Sequence, residues 1–565
     1  MSKINPKKAY ASEVFDGFGG IGIQNTLGGK GTLTMQNFRI LPDGSIRKRC
    51  GWEAESYFDS TLRGHWSGEL NGVSYRFVVA GSQVYRLIDG EQYHACSLST
   101  DTGSVCFFTY CNNLYLLDGH TIRRFDPLKA RFVAASGYVP LFGKNWNPET
   151  CGVMNEPLNL LNNRIRLHYQ NLNGSLEFTL PFYVSSVDQV RLDTELTDEF
   201  IVFTTDDGFS VNRVAKSVEV CCTIMLDNEN KARLNEAPFA LSHNDGMRER
   251  LMLYGSEKNS LFFCAATVDE DSIGFSKAAY PDSDPLYFTS TGILPLGDSE
   301  HPITSVCSHG ERFLAFHKDG AYSVSIAESG RNAEAYPLLH GMGCRAKNAI
   351  VRLDGDPVVI NSNGVFTLHA PDSDPDDFTA TALSDGISEL SDREFADRAF
   401  TVEDRGHGEL WFGAPNSPIY VFNTARRAWY TFNGINATNF FTHGDRVGAC
   451  MYEYLSIFDE SKTSDNGAPI VGIFKTGYLA FDHPEVSKRS LRLSLCADPG
   501  ARAVVEVKSE SGSAQTLLIS ERGGGIPVVW DRRLSIGRFR LLQVTVSDSL
   551  GVNSRYYRLA LHANV

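Results

Sequence analysis

Tyr75-Arg76-Phe77-Val78-Val79-Ala80-Gly81-Ser82-Gln83-Val84-Tyr85-Arg86-Leu87 lies over Asn113-Leu114-Tyr115-Leu116-Leu117-Asp118-Gly119-His120-Thr121-Ile122-Arg123-Arg124-Phe125 at an offset of 38 residues, and this pair decides the fold. Each copy is an apolar strand, a turn carrying glycine and a second strand. The central Gly81 and Gly119 suit a tight hairpin, where a residue without Cβ adopts positive φ at no steric cost. Strand-turn-strand units recurring at about 40 residues mark four-stranded propeller blades.

Working outward, the unit returns as Arg312–Phe316 with Gly320–Val324, as Pro357–Asn361 with Gly364–Leu368, as Glu409–Gly413 with Ile419–Asn423, and as Arg446–Met451 with Tyr454–Asp459. A diverged copy begins at Leu251 and includes Leu261-Phe262-Phe263-Cys264-Ala265. The expectation is an all-β chain: a six- or seven-bladed β-propeller with an inserted β-sandwich-like domain and a C-terminal β region. The blade count falls inside the usual range of about four to eight. The insert is required because the spacing fails once, after the second blade, by roughly 100 residues more than one period.

The expected divisions are 1–55 for an N-terminal arm and entry hairpin, 56–146 for the first blades, 147–245 for the insert, 246–482 for the later blades and 483–565 for the C-terminal region. The insert reads as β from the alternation in Arg164–Tyr169, Leu176–Leu180, Val187–Leu192 and Ser217–Cys221. Ser490–Leu495, Ala503–Val507 and Leu541–Val546 supply the C-terminal strands. Convincing amphipathic helices are all but missing.

The 565 residues are 42% hydrophobic and 21% charged, with 50 Gly and 35 Phe, a composition of packed strands and many turns rather than of disorder. A formal charge of -14 opposes general nucleic-acid affinity, which runs on Lys and Arg neutralising phosphates. A negatively charged wall would still let DNA pass without holding it. Met1–Lys8 leads into no apolar run of the kind a secretory signal needs, and no stretch approaches the roughly 18 apolar residues of a membrane span, so synthesis and folding in a cytosol are expected. The twelve cysteines (50, 96, 106, 111, 151, 221, 222, 264, 307, 344, 450 and 496) show no Cys-x-x-Cys spacing and read as reduced, buried thiols.

Candidate chemistry is sparse. Gly17-Phe18-Gly19-Gly20-Ile21-Gly22 matches a dinucleotide-binding glycine spacing, but no strand precedes it and no helical run follows, so a flexible N-terminal arm is expected. Asp282, Asp284, Asp372, Asp374, Asp376 and Asp377 fall in Pro- and Ser-rich loops and read as solvated turns; calcium would suit the run Asp372–Asp377, although its proline and missing glycine break the EF-hand pattern. His65, His120, His168, His301, His309, His317, His407 and His443 form no helical ligand pair. Trp411, Trp429 and Tyr430 would stack on sugar rings if they lined a groove, but their spacing follows strands and assigns them to blade core. No Ser-x-Asp-x-Gly-x-x-Trp box, Gly-x-Ser-x-Gly elbow or Walker loop is present, so no catalytic, cofactor-binding or metal residue is named.

One segment is more specific. Met35-Gln36-Asn37-Phe38-Arg39-Ile40-Leu41-Pro42-Asp43-Gly44-Ser45-Ile46-Arg47-Lys48-Arg49-Cys50-Gly51-Trp52 reads as a hairpin, Phe38–Leu41 against Ser45–Lys48 through Asp43-Gly44, that hands Arg49 and Gly51 to the first blade. It resembles the entry segment, Asn-hydrophobic … Asp-Gly-x-hydrophobic-x-x-Arg-x-Gly, of β-propeller proteins in tailed-phage virions, the podovirus tail-nozzle and packaged-DNA-stabilisation type. Cys50 departs from the proline common at its position. The order of parts agrees over most of the chain: early blades, an insert opening near Leu158-Asn159-Leu160-Leu161, the stretch Pro285-Leu286-Tyr287-Phe288 before Ile303–Val306, and Ser487-Lys488-Arg489 entering the last β region.

The resemblance implies a non-enzymatic structural protein of the virion tail, made in the host cytoplasm. It would be a homo-oligomer, a hexameric nozzle or hub ring closing the DNA channel. Its partners would be other tail or portal-adaptor proteins, with DNA passing through without sequence-specific binding and no membrane span. The rival expectations are a glycan-binding or sialidase-like receptor-recognition propeller, and a cytosolic interaction scaffold.

Overall fold

The computed structural model describes residues 10–21, 32–144, 153–154, 156–181, 184–205, 207–225, 229–244, 249–265, 284–299, 301–310, 312–327, 332–370, 378–481, 483–520, 527–549 and 554–564. Two compact units emerge, residues 68–341 and residues 1–67 with 342–565. Strands dominate both. The described helices are two short α-helices, Glu229–Asn235 and Arg393–Arg398, and one 3-10 turn, Ser388–Ser391.

The fold is a β-propeller. Five four-stranded antiparallel sheets, and four-stranded antiparallel portions of two larger sheets, form seven blades among the described residues. Blade 1 runs Leu62–Leu70, Val73–Ala80, Gln83–Ile88 and Glu91–Ser97, and blade 2 runs Cys106–Tyr110, Asn113–Leu117, Ile122–Asp126 and Arg131–Ala134. The two aligned sequence copies are therefore the second and third strands of successive blades. Gly81 and Gly119 sit in the turns between those strands at φ 53° and 76°. The diverged copy falls in blade 3, Phe239–Asn244, Glu249–Tyr254, Ser260–Cys264 and Phe288–Pro295. Blades 4 to 6 open at Ser305, Val351 and Phe400. Blade 7 takes Asn439–His443, Arg446–Met451 and Tyr454–Asp459 from late in the chain and its outer strand, Gly51–Tyr57, from the beginning, in the register Asp459 against Gly51 and Tyr454 against Tyr57.

That exchange corrects the expectation for the entry segment. Gly51 opens the outer strand of the last blade, not the first. A strand borrowed from the other end of the chain closes the repeat with backbone hydrogen bonds, whereas local reading pairs sequence neighbours. The hairpin itself is as expected, Phe38 opposite Lys48 and Ile40 opposite Ile46, with Gly44 at φ 84°.

The insert packs two sheets. Leu141–Lys144, Arg164–Gln170, Ser217–Ile224 and Val184–Leu192 form the spine of one, and Glu177–Thr179, Gly208–Val211 and Phe200–Val202 form the other. Ile165, Leu167, Val190, Phe209 and Val220 fill the space between. Phe239–Asn244, which the sequence spacing assigns to the insert, belongs to blade 3. The insert is moored at its root: Asn159 donates through Nδ2 to the carbonyls of Tyr138 and Leu286, at 2.8 and 2.9 Å, and accepts from the Phe288 amide at 3.1 Å. The stretches around Leu158 and Pro285, distant in sequence, thus meet through one amide side chain.

The C-terminal region forms two sheets that need the N-terminus. In one, Arg555–Asn564 is flanked by Tyr10–Phe15, Ile46–Lys48 and Arg489–Ala497; in the other, Thr32–Gln36 joins Gly472–Thr476, Leu542–Asp548, Ala503–Ser509 and Ala514–Ile519, and continues from the outer strand of blade 6 through Gln36 opposite Thr431. Ala503–Ser509 alternates buried and exposed at every residue, as a half-buried strand should. Met35, Phe38, Leu493, Val505, Trp530 and Val544 lie in one shared core.

The flexible arm expected at Gly17–Gly22 is overturned for the part described. Tyr10–Phe15 is a paired strand, and Phe15 and Phe18 are buried edge-on against Phe474, with ring centroids 6.2 and 5.0 Å away. Two aromatic rings removed from water outweigh the backbone freedom of the glycines around them. Gly22 lies outside the described residues.

Candidate functional site

The richest constellation of polar side chains gathers around the entry segment. Four of its residues carry it. Asn37 adopts φ 55°, a left-handed conformation that asparagine tolerates better than most side chains. Its Oδ1 then accepts from Arg49 Nε at 2.9 Å and from the Asn433 amide at 2.8 Å, while Nδ2 donates to the Val471 carbonyl at 2.9 Å. Arg49, with only 1% of its side chain exposed, grips Asp465 with both terminal nitrogens, at 2.8 and 2.6 Å. Lys48 is buried against Asp548, whose other oxygen accepts from Tyr556. Gly51 runs so close to the chain at Ser464 that a Cβ there would lie 2.0 Å from its carbonyl oxygen.

Arg39 centres a second cluster. Its guanidinium lies 3.3 Å from Asp404, 3.3 Å from Glu409 and 3.2 Å from Glu460, and over the ring of Phe432. His407 bridges two of the same carboxylates, Nδ1 to Asp404 at 2.8 Å and Nε2 to Glu460 at 3.0 Å. Burial by itself would favour neutral His407, but the hydrogen bonds to Asp404 and Glu460 prevail and raise its pKa to about 9. The hydrogen bond from His407 draws Glu460 down to about 2 against its own partial burial, with help from Arg39. Glu409 accepts from Trp411 Nε1 at 2.9 Å and from the Tyr430 hydroxyl at 2.5 Å. Every carboxylate of this cluster is engaged by a base or a donor. Its chemistry is that of a strut.

Beside the Arg49 cluster opens a cleft of about 460 Å³ lined by Trp52, Tyr454, Asn433, Asp465, Asn466 and Gln36 among others. Trp52 stacks on Tyr454, with centroids 5.6 Å apart and planes 20° off parallel, and Tyr57 packs against Tyr454 at 5.4 Å. The other unit holds a cleft of about 420 Å³ with a basic rim, lined by His94, Arg123, Lys129 and Arg131.

The residues singled out from sequence fare unevenly. Trp411, Trp429 and Tyr430 are core, at 0, 2 and 0% exposed. Asp284 is not a solvated turn residue: it is fully buried and accepts from the Tyr115 hydroxyl and from the amides of Ser136 and Leu286. A carboxylate can stay inside when three donors face it. Asp282, Asp372, Asp374, Asp376, Asp377 and Cys151 lie outside the described residues. His407 joins the Arg39 cluster; His65 lies against Phe441; His317 is buried, and burial lowers its pKa. No disulfide joins any two of the eleven cysteines described, and seven of them are buried. Among the described residues no group of His, Cys, Asp and Glu is placed to hold a metal ion, and no helix is long and apolar enough to cross a membrane. Sequence reasoning missed the Trp52–Tyr454 pair because its partners lie in blade strands from opposite ends of the chain.

No family model matches this sequence, and no curated protein does. Solved structures similar in fold include the N-terminal domain of BBS1 in complex with ARL6 (10% identity over 74% of this chain and 99% of that one, TM-score 0.34). YCF48 from Cyanidioschyzon merolae is 9% identical over 73% and 99%, with a TM-score of 0.34. Sqt1 of Saccharomyces cerevisiae is 10% identical over 72% and 97%, at 0.32. Likeness this low carries nothing about function; the four-stranded sheets themselves establish the propeller.

Proposed function

We propose that the protein is a non-enzymatic structural component of a tailed-phage virion, a subunit of a tail nozzle or hub ring that closes the DNA channel and contacts other tail proteins. One observation supports this reading most. In the entry segment that resembles such proteins, Asn37, Arg39, Lys48, Arg49 and Gly51 are all spent on internal fastening: they tie the N-terminal strands to the late blades and the C-terminal sheets. A segment used this way makes a rigid hub, and rigidity is what a ring subunit under DNA pressure requires. The charge of -14 suits a conduit that must not retain a polyanion.

The ring would be a hexamer, its neighbours other tail or portal-adaptor proteins, and its place the virion. Native mass spectrometry and negative-stain imaging of the purified full-length protein test this directly. Sixfold rings, or incorporation into tails on mixing with tail lysate, are the expected result. A stable monomer that enters no particle would remove the proposal.

A further inference from the structure

We propose that the cleft between the outer strands of blades 1 and 2 binds a phosphate group, as the free ion or as a small phosphomonoester. One wall is residues 94–97 of the outer strand of blade 1, and the other is residues 129–133, the last turn and outer strand of blade 2; both blades belong to one compact unit. The volume, about 420 Å³, falls in the range of small-molecule sites, about 300–1,000 Å³. Four basic side chains line it, His94, Arg123, Lys129 and Arg131, and no carboxylate does. In a chain of charge -14 this is a local reversal of sign.

Arg123 carries the assignment. It stands half-buried on Ile122–Asp126, the strand next to the edge of blade 2. Its Nε is closed to water; its terminal nitrogens are not closed off, and among the described residues they have no acceptor. Charges drawn out of water are ordinarily paired, so a half-buried guanidinium without a counter-ion is unfinished. Its neighbours do not complete it. Arg123 acts on the Cys96 thiol, but burial outweighs that pull and pushes the thiol up to about 11, so Cys96 is neutral near pH 7. Asp118, whose charge also acts on Cys96, accepts from the amides of His120 and Thr121 through Oδ1 at 2.9 and 2.7 Å, and its Oδ2 meets no donor, Arg123 included.

The other bases fix the class of anion. Arg131 is exposed and, among the described residues, also without a protein partner. Lys129 spends one donor on Asp126, at 3.2 Å, and His94 is tied to Gln83 and Ser97 at the rim. Two unmatched guanidinium charges fit a phosphomonoester, which carries about −1.5 to −2 near pH 7 and offers three oxygens to the planar forks of arginine. A single carboxylate would leave one guanidinium unpaired.

The site does not depend on the virion role: a monomer that binds phosphate keeps it, and a hexamer that binds none loses it. The test is isothermal titration calorimetry of the full-length protein in about 150 mM NaCl, with inorganic phosphate and with glycerol phosphate up to about 10 mM. Binding at about 1 mM or tighter is expected, weakened about tenfold or more in Arg123→Gln and in Arg131→Gln, since each removes charge-assisted hydrogen bonds. Arg131 is exposed, so its replacement leaves the fold intact, and Arg532→Gln, at an exposed position of the other unit, should bind as the native protein does. Equal affinity for the two probes assigns the free ion, and tighter binding of glycerol phosphate assigns the ester. Binding of neither probe, unchanged binding in either cleft variant, equal weakening in Arg532→Gln, or tighter binding of acetate or of a polyglutamate peptide would overturn the assignment.

Discussion

Arg49 and Asp465, 416 residues apart in sequence, form a two-point ion pair with 1% and 10% of their side chains exposed. It joins the end of the entry segment to the short strand Ser464–Asp465, which pairs beside Trp52 in the sheet of blade 7. Removing one partner of such a pair leaves a buried charge uncompensated, which costs about 3–5 kcal/mol. Asp465→Asn is expected to lower unfolding stability by that order in urea titration. A change below about 1 kcal/mol would mean that the pair is not buried as described.

His407 gives the protein a pH signature. Its folded pKa of about 9 stands above the ordinary 6.5, so its contribution to stability is complete below about 6.5 and is lost as pH rises through 9. Glu460, held at about 2 against an ordinary 4.5, contributes above 4.5 and loses that contribution as pH falls toward 2. The bridge is at full strength between those ordinary values. Stability of the native protein minus that of His407→Gln, measured from pH 5 to 9.5, should therefore shrink steadily above about pH 6.5. A difference that grows with pH would invert the assignment.

Gly51→Ala tests the closure of blade 7. The new methyl would lie 2.0 Å from the Ser464 carbonyl oxygen and 2.6 Å from its carbon, and backbone cannot swing aside as a side-chain tip can. Overpacking of this kind costs about 1–3 kcal/mol and sometimes more. Loss of the strand Gly51–Tyr57 from blade 7 should appear as faster amide exchange at Tyr454–Asp459, its antiparallel neighbour.

The blades were legible because their code is local. A strand, a glycine turn and a second strand sit within about 13 residues, and period-two burial needs no distant information. The entry hairpin was legible for the same reason. What escaped was every relationship made across the chain: Gly51 on the last blade, Thr32–Gln36 beside Gly472–Thr476, and the Trp52–Tyr454 stack. Asp284 escaped for a different reason. An aspartate between proline and serine looks like a surface turn, and only the fold brings it Tyr115 and two amides.

Phe18 shows the same limit and allows a direct measurement. The glycines around it suggest a loose arm, yet its ring is 6% exposed and meets Phe474 edge-on at 5.0 Å. Truncating a buried phenylalanine costs about 3–5 kcal/mol when the surroundings cannot collapse into the gap. Here the ring follows the strand Tyr10–Phe15, which pairs with Arg555–Asn564 at the margin of its sheet, and such marginal segments open locally at less cost than a core. The loss from Phe18→Ala should accordingly fall on the segment before the whole. Limited proteolysis should cleave the variant between Phe15 and Gly20 under conditions where the native chain resists, while the blade 7 amides keep their exchange rates. Equal cleavage of the two proteins in this segment would return Gly17–Gly20 to a loose arm, and equal resistance would show that the Phe18 ring is not what holds it.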